Sequence, residues 1–298
     1  MARTTDEAGP AQALWLAVIL DLEPAGDTVF IGHSPPDRER RVFGGQVVAQ
    51  ALVAANRTIS DRTAHSLHAY FLLPGDPKQP IRYEVEALRD GKSFSTRRVV
   101  AHQSSGAIYA MSVSYQKAEQ GLEHQFEMPS VPLPEVLPDG AEIVRLYSDR
   151  LPLPLVKWLS TPQRIDVRMC SIQRYFSVGQ SPAQPSATEN VWMRVAHALP
   201  DDPAIHQAGL AYLSDNWILD TTLVAHGRWL GDADIMPASL DHAIWFHRPA
   251  RADQWLLFAQ ESPTTVGARG FGRGLVYTEA GVLVASFAQE GLIRLRTG

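Results

Sequence analysis

Alternating apolar and polar residues predict an antiparallel sheet in the first half of the chain. Residues 83–87 alternate, Asp90-Gly91 is typical of a tight turn, and residues 94–102 alternate again before a turn at 104–106. In such strands one face packs on a core while the other faces solvent. This stretch therefore predicts a meander of long hairpins.

The second half of the chain repeats this pattern. Residues 255–260 and 269–277 alternate on either side of a loop predicted at 262–267, and a turn at 279–281 precedes a last strand over 282–288. Similar residues recur in the same order about 175 positions apart, which indicates a tandem duplication. The matched pairs are His68 with His242, Phe71 with Phe246, Pro74 with Pro249, Arg97 with Arg269, and Gln116 with Gln289.

A helix with apolar side chains on nearly every side precedes each sheet. The first covers residues 47–59, and the second runs over residues 204–219. Helices of this kind are buried, so each repeat predicts a sheet wrapped around one helix. Prolines crowd the segment between the repeats. We therefore predict an α+β protein with a first repeat over residues 1–116, a proline-rich linker over 117–190 and a second repeat over 191–298.

Composition narrows the class of protein. The 298 residues carry a net charge of -5, which gives no reason to expect nucleic-acid binding. No stretch approaches the roughly 20 apolar residues that span a membrane. Cys170 is the only cysteine, so no disulfide can form within one chain. A protein of the cytoplasm is the simplest expectation.

Asp215 is the one acidic residue in the two predicted core helices. Helical spacing places it on a stripe with Ala208, Ala211 and Ile218. An isolated carboxylate among apolar side chains costs several kcal/mol unless it is hydrogen-bonded or functional. The first helix has no acid, so the architecture does not require one. Asp215 is therefore a candidate functional acid. Alternatively, it caps a shorter helix that begins at Asn216, or its side chain bonds to nearby backbone.

Two further polar residues are weaker candidates. Ser239 begins a strand in which it shares a face with Asp241, and an isolated serine is most often structural. Gln289 follows an apolar strand, and its match with Gln116 favours a structural role. The matching histidine in the first repeat likewise favours a packing role for His242.

Several common sites are absent from the sequence. His226 and His247 have no second ligand at metal-binding spacing, so no metal is expected. No G-x-S-x-G elbow and no P-loop occur. Gly270, Gly272 and Gly274 lie inside a strand pattern, which indicates close backbone approach or a bulge and not a nucleotide fingerprint. No cofactor is therefore predicted.

Five short motifs, taken in order, resemble those of one known family. They are F-G-G-Q at 43–46, Y-L-S-D at 212–215, S-L-D-H-A-I-W-F-H-R-P at 239–249, A-R-G-F at 268–271 and G-V-L-V-A-S-F-A-Q-E-G at 281–291. With the repeat, they make the chain similar to the type II, TesB-like acyl-CoA thioesterases. The resemblance covers most of the chain and is weakest in the linker. It implies the double hotdog fold, in which two tandem repeats each wrap an antiparallel sheet around a helix.

The resemblance also implies a reaction and the residues that perform it. Members of this family hydrolyse fatty acyl-CoA to free fatty acid and CoA, using an acid, a hydroxyl residue and a glutamine that hold a water. By motif these residues are Asp215, Ser239 and Gln289, although some members carry threonine at the position of Ser239. Asp215 would act as a general base, and direct attack by its carboxylate through an anhydride stays open.

Two other functions compete with this one. A hotdog acyl-CoA hydratase or dehydratase would need a catalytic histidine, for which His226 is the candidate, and a non-catalytic acyl-CoA-binding or regulatory protein would need none. Arg97, Arg269 and Arg273 could contact CoA phosphates or serve ordinary sheet-face roles. The expected partners are an acyl-CoA substrate and further copies of the chain in a homo-oligomer, because sheet edges need covering.

Overall fold

The computed structural model describes residues 15–38, 40–161, 164–179 and 187–296. The helices are α1 (Trp15–Leu20), α2 (Gly44–Asn56), α3 (Gly140–Tyr147), α4 (Leu153–Leu159), α5 (Pro203–Ser214) and α6 (Ile218–Thr221). Short 3₁₀ helices lie at Pro134–Val136, Ile172–Ser177 and Val224–His226. The strands are β1 (Glu23–Pro24), β2 (Val29–Gly32), β3 (Thr63–Phe71), β4 (Ile81–Asp90), β5 (Phe94–Gln103), β6 (Gly106–Gln116), β7 (Ile165–Met169), β8 (Thr188–Val195), β9 (Ile235–Ser239), β10 (Asp241–Phe246), β11 (Leu256–Val266), β12 (Arg269–Thr278) and β13 (Leu283–Leu295).

These strands form one sheet in which every pair is antiparallel. The order is β1-β2-β4-β5-β6-β3-β10-β13-β12-β11-β8-β7, and β9 also pairs with β13. Strands β3 and β10 meet at the centre, where Leu67 faces Ile244 and both side chains are fully buried. Outward from this pair, β6 corresponds to β13, β5 to β12 and β4 to β11. The duplicated sequence therefore folds into two halves related by a pseudo-twofold axis at the seam between β3 and β10.

The two core helices pack side by side on one face of this sheet. Nearly all of α2 is buried, as the apolar pattern predicts. The helices approach closely at Gly45, where an added Cβ would lie 2.6 Å from the Tyr212 carbonyl oxygen. Glycine is therefore needed at the point where the helices cross. None of the described helices is both long and apolar enough to cross a membrane.

The second core helix is shorter than the helix predicted over residues 204–219. Helix α5 ends at Ser214, Trp217 has a left-handed backbone with φ of 64°, and α6 begins at Ile218. The break lets α6 lie directly on β12, where a Cβ on Gly272 would be 2.8 Å from the Ile218 side chain. The predicted close backbone approach at this glycine is confirmed.

The hairpins follow the prediction with one exception. The turns at 104–106 and 279–281 are confirmed, because they separate β5 from β6 and β12 from β13. The loop predicted at 262–267 is wrong, since β11 continues to Val266. A register shift between Glu261 and Thr264 absorbs the polar residues without ending the strand.

The described part of the proline-rich linker is folded against the second repeat. Its buried apolar residues form a small separate core with two partly buried tryptophans, Trp217 and Trp229. Strand β7 lies at the edge of the sheet beside β8. Residues 162–163 and 180–186 of the linker, like residues 1–14 and 297–298, lie outside the described residues. The division of the chain at residues 116 and 190 stays a prediction.

A buried ion cluster attaches the linker to the second repeat. Arg174 binds both Glu189 on β8, at 2.8 Å, and Asp220 on α6. Asp220 also accepts hydrogen bonds from the Tyr175 hydroxyl and the Leu230 N–H. Two carboxylates share one guanidinium here. Burial raises the pKa of Glu189 to about 7, although Arg174 opposes the shift.

We expect this cluster to make stability depend on pH. Glu189 holds a proton in the folded chain between its ordinary pKa of 4.5 and about 7, whereas the unfolded chain has released it. Raising the pH through this window therefore lowers the free energy of unfolding, by up to about 1.4 kcal/mol per pH unit. Urea unfolding at several pH values should show a smaller slope for Glu189→Gln than for the natural protein.

The control for this prediction is Glu279→Gln, which removes an acid from an exposed turn. It should keep the slope of the natural protein. An unchanged slope in Glu189→Gln would contradict the assignment of the buried proton to Glu189.

Candidate active site

Asp215 lies where the end of one core helix meets the start of the other. It follows the last residue of α5, and its Oδ2 accepts a 2.7 Å hydrogen bond from the Gly45 N–H in the first turn of α2. Free N–H groups at a helix start favour a negative charge. A Cβ on Gly44 would lie 2.7 Å from the same oxygen. The carboxylate that the second repeat supplies is thus held by the backbone of the first.

Ser239 and Gln289 join Asp215 in one chain of hydrogen bonds. The Ser239 hydroxyl donates to Asp215 Oδ1 at 3.3 Å, and Gln289 Nε2 donates to Ser239 Oγ at 2.9 Å. Strand pairing explains the contact, because Ser239 at the end of β9 faces Gly291, two residues beyond Gln289 on β13. The structure therefore brings together all three residues that the sequence singled out.

His242 extends this network on its buried side. Its Nδ1 lies 2.6 Å from Gln289 Oε1, and its Nε2 lies 2.9 Å from Ser214 Oγ. The Gln289 amide has its nitrogen towards Ser239, so its oxygen accepts from His242 Nδ1. Ser214 Oγ also lies 2.9 Å from the Ala211 carbonyl oxygen, and its one proton serves either that oxygen or Nε2. Every donor in the chain from His242 to Asp215 points towards the carboxylate.

Burial sets the charge states of the site. It raises the pKa of Asp215, and the opposing contributions come from His242 and from the hydrogen bonds of Gln289, Gly45 and Ser239. Burial also lowers the pKa of His242, so the ring is neutral near neutral pH. A carboxylate with a raised pKa accepts a proton more readily than an ordinary aspartate does.

The sequence missed His242 because its apparent counterpart lies on the other face of the sheet. In the central strand pair His242 faces Ala69, while His68 faces Ala243. His68 is exposed against the Trp245 ring, whereas His242 is only 1% exposed. A shift of one residue exchanges the two faces of a strand. The match with His68 therefore does not support the packing or strand-pairing role predicted for His242, and that role stays a prediction.

Gln116 and Gln289, which the sequence matched, also lie in different surroundings. Gln116 is half-buried and its side chain reaches Glu119, while Gln289 is fully buried. The sequence match thus gives no reason to treat Gln289 as structural. The glycine contact was missed for another reason, because Gly45 belongs to the opposite repeat and only helix packing brings it to Asp215.

The other charged candidates do not reach this site. Arg97 is 5% exposed, and its guanidinium binds Thr58 and Asp90, so it is not available to a ligand. Arg269 and Arg273 are surface residues paired with glutamates on neighbouring strands. Within the described ranges no group of His, Cys, Asp or Glu side chains could hold a metal ion.

Two aromatic residues of the first repeat close the site. The Phe71 ring would lie 3.0 Å from a Cβ on Gly44, and it packs on Tyr109 with ring centroids 5.3 Å apart. The Tyr109 hydroxyl is buried and has no hydrogen-bond partner in the part of the chain that the structure describes. Burial and the nearby Asp215 charge raise the pKa of Tyr109, so the hydroxyl keeps its proton.

A polar cavity of about 730 Å³ lies beside the start of α2. Arg38, Lys78 and His33 line it, and Arg38 stacks over the Phe43 ring, which precedes Gly44. Basic side chains thus surround a polar space next to the helix start that holds Asp215.

Two family models and several known proteins match the chain. A family model for acyl-CoA thioesterase matches residues 161–292, and one for the acyl-CoA thioesterase N-terminal domain matches residues 33–116. The chain is 39% identical over 277 residues to acyl-CoA thioesterase 2 of Haemophilus influenzae, which covers 93% of this chain and 96% of that protein.

Solved structures show the same relationship. The crystal structure of the acyl-CoA thioesterase II TesB2 from Mycobacterium marinum matches with a TM-score of 0.77 and 38% identity, over 96% of this chain and 99% of that one. A hot dog fold protein from Alicyclobacillus acidocaldarius matches with a TM-score of 0.72 at 19% identity, over 95% and 99% of the two chains. The predicted double hotdog fold is confirmed, and the chain belongs to the acyl-CoA thioesterase family.

Proposed function

We propose that the protein hydrolyses fatty acyl-CoA to a free fatty acid and CoA, with Asp215 activating the attacking water. The observation that carries the proposal is the buried Asp215 carboxylate, hydrogen-bonded by Ser239 and by the backbone of Gly45 at the seam between the repeats. Its raised pKa suits a general base, and the surrounding donors fix its orientation.

The hydrogen-bond directions indicate how a water would be held. Ser239 gives its proton to Asp215 and receives one from Gln289, which leaves one acceptor position on the serine oxygen. A water that donates one proton to Asp215 and the other to Ser239 keeps a lone pair free for the thioester carbonyl carbon.

The chemical steps follow from this geometry. The water oxygen bonds to the carbonyl carbon while one water proton passes to Asp215. The tetrahedral intermediate then collapses, the carbon–sulfur bond breaks, and the leaving sulfur takes up the proton from Asp215. We assign the Tyr109 hydroxyl to the carbonyl oxygen, because it is a buried, protonated donor without a partner among the described residues.

General-base catalysis fits the carboxylate better than direct attack through an anhydride. Oδ1 accepts from Ser239 and Oδ2 accepts from Gly45, so both oxygens already bind a donor. Direct attack would require one of these oxygens to leave its donor and bond to the carbonyl carbon. A base needs only one remaining lone pair for the water proton.

The substrate class also fits the surroundings of the site. The nucleotide end of CoA carries phosphates, and the polar cavity beside α2 presents Arg38 and Lys78. The hydratase alternative receives no support from His226, which ends a surface 3₁₀ helix away from Asp215. Residence in the cytoplasm and assembly into a homo-oligomer stay predictions.

Replacing the base should abolish turnover without unfolding the protein. Asp215→Asn keeps one side-chain oxygen as an acceptor for the Gly45 N–H but removes the carboxylate oxygen that takes the proton. We expect free-thiol release from medium-chain acyl-CoA to fall by about 10²- to 10⁴-fold. The matched control is Asp241→Asn. Asp241 is two residues from Ser239, but its carboxylate binds the Glu290 N–H. Equal rates in the two variants would contradict the role of Asp215.

His242 should act on the rate by positioning Gln289. His242→Leu removes the donor to Gln289 Oε1, which frees the amide to rotate, so we expect kcat to fall about tenfold to a hundredfold with little change in KM. His242→Asn keeps a donor near the position of Nδ1 and should recover much of the rate. A merely structural role predicts equal losses in both variants, together with lower melting temperatures.

A further inference from the structure

A second cavity, of about 310 Å³, lies at the opposite end of the two core helices from Asp215. It opens where α2 ends and α5 begins, and both repeats contribute to its walls. Ile59, Leu210 and Phe246 supply apolar surface, while Asn56 and Gln207 supply amides.

The pseudo-twofold axis relates this cavity to the active site. At the active site the end of α5, with Asp215, meets the start of α2 at Gly45. At the cavity the end of α2, with Asn56, meets the start of α5 at Ala204. The two helices are antiparallel neighbours. Rotation about the pseudo-twofold axis, which superposes one repeat on the other, therefore places one junction on the other.

The sheet shows the same correspondence. Phe71 ends the central strand β3 and lies beside the active site, and Phe246 ends the central strand β10 and lines the cavity. Tyr115 lies on β6, the counterpart of the strand that carries Gln289, and its hydroxyl donates to Asn56 Oδ1 at 2.8 Å. The cavity is therefore built from the same helix ends and strands as the active site, but it carries different polar side chains.

The differences fall on the residues of the proposed hydrolytic chemistry. A carboxamide stands at Asn56 where the active site has a carboxylate, and no Asp or Glu lines the cavity. The first repeat connects α2 to β3 within residues 57–62, so it has no equivalent of β9, the strand that carries Ser239. The acid and the strand serine of the active site therefore have no equivalents in this cavity, where His247 and Thr63 line the wall instead.

The remaining groups suit an acyl group with a carbonyl or carboxylate head. Asn56 Oδ1 is occupied by Tyr115, and its Nδ2 donates no hydrogen bond within the described chain, which leaves that donor to a ligand oxygen. Arg62 and Arg248 also line the walls, where they are paired with Asp61 and Glu123. Apolar side chains beyond them can cover a hydrocarbon chain.

We propose that this cavity is a second acyl-binding site, which holds a fatty acyl group without hydrolysing it. The choice of ligand rests on the proposed function of the active site. The acyl group can come from acyl-CoA or from the free fatty acid, and these two sources share the head-group oxygen and the apolar chain that the cavity recognises.

The stoichiometry of binding tests this proposal. In Asp215→Asn, where acyl-CoA stays intact, equilibrium dialysis should find two equivalents of dodecanoyl-CoA or of dodecanoate per chain. Adding Ala204→Phe, which fills the cavity from α5, should leave one equivalent. Ala118→Phe, at an exposed position, is the matched control and should leave two. Ala250→Phe fills the cavity from the opposite wall and replaces Ala204→Phe if that variant has a lower melting temperature.

The outcomes separate this proposal from the proposed function. A second equivalent that Ala204→Phe or Ala250→Phe removes supports the site, and the ligand that supplies it identifies the source of the acyl group. One equivalent of each ligand in every variant would overturn the second site even if the natural protein releases thiol normally. Failure of the proposed function would appear instead as thiol release that does not depend on Asp215.

Discussion

The hydrogen bond from the Gly45 N–H to Asp215 joins the two repeats at the point where their core helices meet. It exists because α2 and α5 run antiparallel and touch closely enough that only glycine fits at Gly44 and Gly45. A helix start attracts negative charge, so the first repeat stabilises the carboxylate that the second one carries. Neither repeat alone contains this site, because the donor and the carboxylate come from different repeats.

Burying a polar chain within this seam requires that almost every group find a partner. The chain from Ser214 through His242, Gln289 and Ser239 meets that requirement, and it ends on Asp215. Its direction follows from the Gln289 amide, whose oxygen accepts from His242 and whose nitrogen donates to Ser239. The same burial that raises the pKa of Asp215 keeps His242 uncharged. The charge states that the proposed mechanism needs at Asp215 and His242 are therefore set by one environment.

The sequence predicted the hairpins, the two buried helices and the lone acid, because these depend on local periodicity and on the cost of an isolated charge. It predicted Ser239 and Gln289 only through family resemblance, since nothing in their spacing separates them from structural residues. It could not find Gly45 or His242. Gly45 reaches Asp215 only through packing between the repeats. His242 was matched to His68, which is one residue out of register and therefore lies on the other face of the sheet.

Tertiary packing also determines where helix α5 ends and how far strand β11 continues, which local sequence patterns do not show. The break after Ser214 is set by contact between α6 and β12, and the polar residues after Glu261 continue the strand because a register shift absorbs them. These features depend on partners distant in the sequence.

The most direct test of the water-activating site is a single turnover of acyl-CoA in water enriched in heavy oxygen, with enzyme in excess. Mass spectrometry then locates the isotope in the fatty acid and in the peptide that contains Asp215. Activation of water by Asp215 places the heavy oxygen in the fatty acid and none in the peptide. Heavy oxygen in the Asp215 carboxylate would show an anhydride intermediate and would contradict the account.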